Sequence, residues 1–115
     1  VLELYSNLLL EIWEDVSALI GETILALLFQ LAIKKVEGKY PFFASIHLSE
    51  EGVSLEGVKE RGRSLPAVEI HRGFQGFITH LFDLFTTLSE GVINRELFPK
   101  VIPKVKEAER MISNK

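Results

Sequence analysis

The feature that most restricts the fold is a long amphipathic helical pattern in the second half of the chain. From about Pro66 onward, apolar residues occupy the a and d positions of three consecutive heptads: Ala67, Ile70, Phe74, Phe77, Leu81, Leu84 and Leu88. A stripe at this spacing lies on one side of an α-helix, where other apolar surface must cover it. The segment therefore predicts a long helix against which the rest of the chain packs.

Two further helices are predicted in the first third of the chain. Six apolar residues recur there at alternating spacings of three and four: Leu2, Tyr5, Leu9, Ile12, Val16 and Leu19. Gly21 is predicted to end this helix, and a second helix from Glu22 to about Glu37 is apolar on nearly every side. Because a helix without a wide polar face is stable only when its neighbours cover it, we expect the second helix to be central and mostly buried.

Between these helices and the heptad pattern, the apolar period changes to two. Every second residue from Phe42 to Leu48 is apolar, and Glu-Glu-Gly then leads into residues 53–55. This pattern predicts a β-hairpin. A two-residue Glu51-Gly52 loop would place His47 opposite Glu56, whereas a longer loop would shift the pairing by two residues, so the register stays open.

The remaining segments are predicted to form a linker and a final helix. Residues 59–64 are rich in charge and glycine, which is typical of a flexible connection. Pro99 and Pro103 interrupt the last apolar pattern, so the straight final helix is predicted to begin near Pro103, after a short helical turn. The order helix, helix, β-hairpin, long helix, short helix, helix defines a mostly helical α+β fold, and residues 1–115 fit a single compact domain.

The composition excludes several classes of protein. The chain has no cysteine, so disulfide scaffolds, zinc–thiolate sites and cysteine nucleophiles are ruled out. A net charge of -3 argues against a nucleic-acid-binding protein. The most apolar stretch, from Ile24 to Ile33, is too short to cross a bilayer, and the acidic start lacks the features of a secretory signal. We therefore expect a cytoplasmic protein without membrane insertion, and the low content of Gln, Asn and Met favours a heat-loving source.

The sequence contains no recognisable motif for catalysis or metal binding. The HExxH, P-loop and GxGxxG patterns are all absent, so we expect a protein that is not an enzyme and has no built-in metal site. The segment Glu69-Ile-His-Arg72 resembles the phosphoacceptor helix of histidine kinases, and this resemblance implies a phosphorelay role for His71. The Asn-rich continuation of one such family is replaced here by Gly73-Phe-Gln-Gly-Phe.

A candidate ligand site surrounds the histidines of the long helix. Gly73, Gly76, His80, Asp83 and Thr87 fall on the side away from the apolar seam, where another backbone or a flat ligand could approach. The alternative is an exposed polar face whose glycines permit a close helix crossing. The residues expected to hold an apolar ligand or haem are His71, Phe74, Phe77, His80 and Asp83.

The apolar stripes of the first helix and the long helix predict self-association. With the apolar second helix and open hairpin edges, they offer more apolar surface than a chain of this size easily covers. The residues expected at a homodimer interface are Leu2, Tyr5, Leu9, Ile12, Val16, Ile70, Leu81 and Leu84. We therefore predict a non-catalytic regulatory or adaptor module that acts as a homodimer and binds another protein. The alternatives are a sensor of an apolar ligand or haem and a histidine phosphotransfer protein.

Overall fold

A computed structural model describes residues 2–49 and 52–113 of the chain. Within these residues it has five α-helices, one 3₁₀ helix and two short strands. In chain order they are α1 (Leu2–Ile20), α2 (Glu22–Glu37), the 3₁₀ helix (Pro41–Ser45), β1 (His47–Ser49), β2 (Gly52–Ser54), α3 (Glu56–Gly62), α4 (Ala67–Ser89) and α5 (Val92–Ser113). The mostly helical α+β class is therefore confirmed.

The long helix α4 is the centre of the molecule, with α2 packed on one side and α5 on the other. The middle of its heptad stripe is buried, and the rings of Phe74 and Phe77 meet aromatic rings from three other elements. Phe77 lies edge-on to Phe29 of α2 at 5.5 Å between ring centroids, and Phe74 stacks on Tyr5 of α1 at 5.0 Å. Phe43 of the 3₁₀ helix stacks on Phe77 at 5.3 Å. The core is thus an aromatic cluster built around one helix.

The segment after α2 differs from the predicted strand, because Pro41–Ser45 is a 3₁₀ helix. Pro41 sets a helical φ at its first position, and the neighbouring Phe42 and Phe43 are both buried. Two consecutive side chains can both face the core from a helical turn, whereas in a strand they point to opposite sides. The spacing of Phe42, Ala44 and Ile46 therefore gave a misleading period of two.

A shorter antiparallel hairpin follows the 3₁₀ helix. Strand β1 pairs with β2 so that His47 lies opposite Ser54 and Leu48 lies opposite Val53. His47 is exposed and has Ser54, not Glu56, as its cross-strand neighbour. Gly52 belongs to strand β2, so the Glu51-Gly52 loop considered above is not formed; residues 50–51 lie outside the described residues.

The segment predicted as a flexible linker is helical over most of its length. Helix α3 ends at Gly62, and Val58 on its inner side is fully buried. Gly62 lies so close to Leu2 of α1 that an added Cβ would come within 2.9 Å of a Leu2 methyl carbon. Packing against α1 therefore orders a segment whose charged composition alone suggested a loop.

The last helix, α5, runs without interruption from Val92 to Ser113, so the predicted start near Pro103 was wrong. Both prolines are exposed. The carbonyl groups that lose an N–H donor, those of Arg95 and Pro99, therefore lie on the outer side of the helix, where water can replace the bond. On the inner side, Leu97 and Val101 are buried and hold the helix against its neighbours.

The turn between α4 and α5 is held by a buried asparagine. Glu90 and Gly91 both have positive φ angles, 53° and 89°, which reverse the chain direction within two residues. The side-chain amide of Asn94 then donates to the carbonyl of Phe82 and to the hydroxyl of Thr86, both at 3.0 Å. These bonds fix the start of α5 against the last turns of α4.

Candidate functional site

Most of the residues predicted at a dimer interface are covered by their own chain. Tyr5, Leu9, Ile12, Val16, Ile70 and Leu81 are all buried, and only Leu2 and Leu84 are partly exposed. The expectation that these six side chains contact a second copy is therefore corrected: α1, α2, α4 and the 3₁₀ helix already bury the two seams against each other. An interface, if it forms, must use other apolar residues.

His71 forms a buried polar pair with Tyr5. The Tyr5 hydroxyl oxygen lies 2.6 Å from His71 Nδ1, which joins α1 to α4, and the histidine is only 9% exposed. Burial raises the pKa of Tyr5 well above its usual range, and the nearby Glu109 carboxylate raises it further. Tyr5 therefore keeps its proton at neutral pH, and its hydroxyl forms a hydrogen bond with Nδ1 of His71 inside the fold.

This pair predicts a specific pH dependence of stability. Above about pH 10 the Tyr5 hydroxyl ionises in the unfolded chain but stays protonated in the folded chain, because its folded pKa is raised. The free energy of unfolding should therefore be unaffected by this group below pH 10 and should fall above it, by up to about 1.4 kcal/mol per pH unit. The Tyr5→Phe variant should lack this loss, as measured by urea unfolding across the alkaline range.

At neutral pH the same variant should be less stable than the native chain by about 1–3 kcal/mol, because His71 Nδ1 is left buried without its hydrogen-bond partner. Tyr40→Phe is the matched control, since Tyr40 is half-buried and should preserve the native alkaline slope. Identical slopes for the native chain and Tyr5→Phe would contradict a raised pKa of the buried Tyr5 hydroxyl in the folded chain.

The five residues predicted to hold a ligand do not form one site. Phe74 and Phe77 are fully buried in the aromatic core. His71 faces α1, whereas His80 and Asp83 line a groove on the other side, between α2 and α4. The nine-residue separation of the two histidines places them on different sides of α4, as helical geometry requires. A site that uses both histidines is therefore excluded.

The two glycines of α4, which were predicted to leave space for a ligand on one side of the helix, have different surroundings. Gly73 is buried beneath the 3₁₀ helix, and a Cβ at this position would lie 2.9 Å from ring atoms of both Phe42 and Phe43. Gly76 is more open, with Val36 as its nearest neighbour at 3.9 Å. The aromatic rings of the same chain therefore occupy the space at Gly73 that a flat ligand was expected to use.

The groove between α2 and α4 has a volume of about 330 Å³. Its apolar walls come from Leu31 and Ala32 of α2 and from Leu84 of α4, and its polar rim contains Lys35, His80, Asp83 and Thr87. The groove is open along one side and lies at the small end of the range for ligand sites. It brings together His80 and Asp83, which the sequence analysis singled out, and Lys35, which it did not.

Exposed apolar side chains continue this groove into a larger surface, which we call the α2–α4 face. Four of its side chains are strongly exposed: Ile24 (46%), Leu27 (57%), Leu31 (47%) and Leu88 (49%). Leu28 and Leu84 are partly exposed beside them, and Leu88 lies one turn beyond Leu84 on α4. The all-round apolar character of α2 was the available signal for this face; it predicted a mostly buried helix and contributed to the expectation of self-association, but it did not identify which side of α2 is exposed.

A second apolar groove, of about 290 Å³, lies between α4 and α5. Its floor includes Ile78, Phe82 and Val105, and Lys106 and Glu109 stand on its rim. Phe98, which is 41% exposed, packs near Phe82 with 5.5 Å between the ring centroids. The central helix α4 is therefore bordered by an open apolar groove on each side.

The described residues define a class of small five-helix domain with a short β-hairpin and apolar surface on both sides of its central helix. No family model, curated protein or solved structure matches this chain. Among the helices in the described residues, none combines the length and apolar composition that a bilayer crossing requires. In the same part of the chain, no three acidic or histidine side chains are grouped closely enough to bind a metal ion. The two grooves beside α4 are therefore the candidate functional surfaces among the described residues.

Proposed function

We propose that this chain is a non-catalytic protein-interaction module that acts as a homodimer through the α2–α4 face. The observation that carries the proposal is the exposure of Ile24, Leu27 and Leu31 on one side of α2, together with that of Leu88 near the end of α4. Scattered exposed apolar residues are common, but a contiguous apolar face is typical of interaction sites. Covering each such side chain would contribute roughly 1–2 kcal/mol by the usual area relation.

An adaptor also needs a surface for a different protein. The α4–α5 groove lies on the opposite side of α4, so it would stay accessible when the α2–α4 face is covered. The exposed Ile102 of the groove and the exposed Phe98, whose ring lies near that of Phe82, support this second role, because aromatic and aliphatic anchors dominate protein interfaces. We assign a regulatory or adaptor role in the cytoplasm to the resulting two-sided module.

Light scattering of the purified chain tests the homodimer. We expect a mass near twice 13.0 kDa at a concentration of about 100 μM, well above a micromolar dissociation constant. The Leu27→Glu and Leu31→Glu variants should reduce the mass to 13.0 kDa, because each would place an unpaired carboxylate in the interface. Ile102→Glu is the matched control from the α4–α5 groove and should remain dimeric. A native chain that stays monomeric at this concentration would refute the proposal.

The second candidate function is a sensor for a small apolar ligand, favoured by the α2–α4 groove. Here the apolar walls would hold the ligand, and His80, with Asp83 and Lys35 nearby, would anchor a polar group. With a medium-chain fatty acid as the probe, the ligand should stabilise the native chain against heat but not the His80→Ala variant. With haem as the probe, the native chain should show the absorbance of bound haem and the His80→Ala variant should not. In the homodimer this variant should keep its mass, so the two functions are separable.

The geometry favours both of these functions over phosphotransfer at His71. A phosphoryl donor must approach an imidazole nitrogen in line, and His71 is buried with Nδ1 bonded to Tyr5. Incubation with acetyl phosphate should leave His71 unlabelled in the native chain. Acid-labile phosphate on His71 would restore the phosphotransfer hypothesis.

A further inference from the structure

The arrangement of apolar side chains on α2 restricts how a second copy can lie against it. We propose, on the basis of the homodimer above, that α2 pairs antiparallel with α2 of a second copy, about a two-fold axis near residues 27–28. The axis would bring Ile24 of each copy next to Leu31 of the other, and Leu27 next to Leu28. The occupant of the α2–α4 face is therefore the same face of another copy of this chain.

The spacing of the apolar residues on the exposed side of α2 is symmetric. Ile24, Leu27, Leu28 and Leu31 are separated by three, one and three residues, so the order is unchanged when the helix is reversed. In an antiparallel pair of identical helices, each position lies opposite the position equally far from the axis on the other side. A spacing that matches its own reverse therefore places an apolar side chain opposite an apolar side chain at every one of these positions. All four side chains are at least partly exposed, which makes them available for this pairing.

The two ends of α2 carry opposite charges. Glu22 lies in the first turn, whereas Lys34 and Lys35 lie in the last turn. An antiparallel pair brings the acidic end of each helix near the basic end of the other, and it opposes the two helix dipoles. A parallel pair would instead bring the four lysines of the two copies together, which is repulsive. Charge and apolar spacing thus select the same orientation.

The size of the face sets the strength of the association. Helix α2 is about 24 Å long and packs about 9 Å from α4, so the two-helix face has a footprint of roughly 24 by 18 Å. This is smaller than the roughly 800 Å² per partner that is usual for stable interfaces. We therefore expect a reversible dimer whose subunits exchange, and this exchange makes mixed-variant experiments practicable.

The absence of cysteine in the chain allows a direct test by disulfide cross-linking. Ile24→Cys and Leu31→Cys variants, one of them isotopically labelled, are mixed, oxidised mildly and analysed by intact mass. Antiparallel pairing predicts a product that joins position 24 of one copy to position 31 of the other, in at least five-fold excess over either like-with-like product. In this geometry the two copies of position 24 are about 10 Å apart along the direction of the paired helices, which is too far for a disulfide bond.

Two controls complete the experiment. Position 27 lies beside the two-fold axis, so Leu27→Cys should form a disulfide between the two copies of this position. Ile102→Cys in the α4–α5 groove should form no cross-link. A dimer that gives mainly 24–24 and 31–31 products, or no product between positions 24 and 31, overturns the antiparallel pairing but leaves the homodimer intact. A monomeric native chain in light scattering instead refutes the proposed function itself, so the two failures are distinguishable.

Discussion

Replacing Phe77 with Ala should lower the free energy of unfolding by about 3–5 kcal/mol. Phe77 is fully buried, and its ring contacts Phe29 edge-on and Phe43 in a stack. Truncation removes this apolar area from the core and leaves a cavity, because two neighbouring rings on separate elements cannot both move to fill it. A loss of this size is a large fraction of the stability of a domain of 115 residues.

Urea unfolding at a protein concentration below dimerisation measures this loss without a contribution from association. Phe98→Ala is the matched control, since it removes the same side chain from a position that is 41% exposed, and we expect it to cost less than about half as much. A Phe77→Ala variant that loses under about 1 kcal/mol would instead indicate a loosely filled pocket at this position, as the ligand-site hypothesis expected.

The two glycines of α4 should respond to alanine in opposite directions. At Gly73 a Cβ would lie 2.9 Å from ring atoms of Phe42 and of Phe43, and both rings are themselves buried. Overpacking at such a position costs about 1–3 kcal/mol, which exceeds the gain of roughly 0.5–1 kcal/mol from replacing a helical glycine. We therefore expect Gly73→Ala to destabilise the protein and to displace the 3₁₀ helix from α4.

At Gly76 the nearest atom to an added Cβ is a Val36 methyl carbon at 3.9 Å, which is an ordinary contact. Only the helical gain remains, so Gly76→Ala should raise the free energy of unfolding by about 0.5–1 kcal/mol. The paired variants are compared by urea unfolding, and near-ultraviolet circular dichroism reports the environment of the displaced rings. Stabilisation by both substitutions would show that the 3₁₀ helix does not rest on Gly73.

The helices could be predicted from the sequence where a single apolar face dominated the pattern. The stripe from Ala67 to Leu88 predicted α4 closely, and Gly21 was correctly placed between α1 and α2. The final helix was predicted too short, because two prolines in the middle of a helix were expected to cost too much for it to continue through both. Their exposure removes most of that cost, and exposure is a property of the folded chain.

The candidate site was predicted only in part. His80 and Asp83 do share one groove, but Lys35 on the opposite wall comes from a helix distant in sequence. The link between Tyr5 and His71 spans 66 positions, and no local pattern in the chain signals it. The space that Gly73 opens on α4 is filled by rings that the sequence pattern had assigned to a strand.

The periodicity of apolar residues was enough to predict α1, α2 and α4 and most of their core side chains, because each depends on residues within a few turns of one another. It did not predict α3 or the 3₁₀ helix. Which apolar faces are covered is a different question, since it depends on how several helices share a limited interior. Most seam residues of α1 and α4 are buried within the chain, whereas α2, which was expected to be mostly buried, leaves Leu27 and Leu31 exposed. Only the packing of the whole chain could decide that.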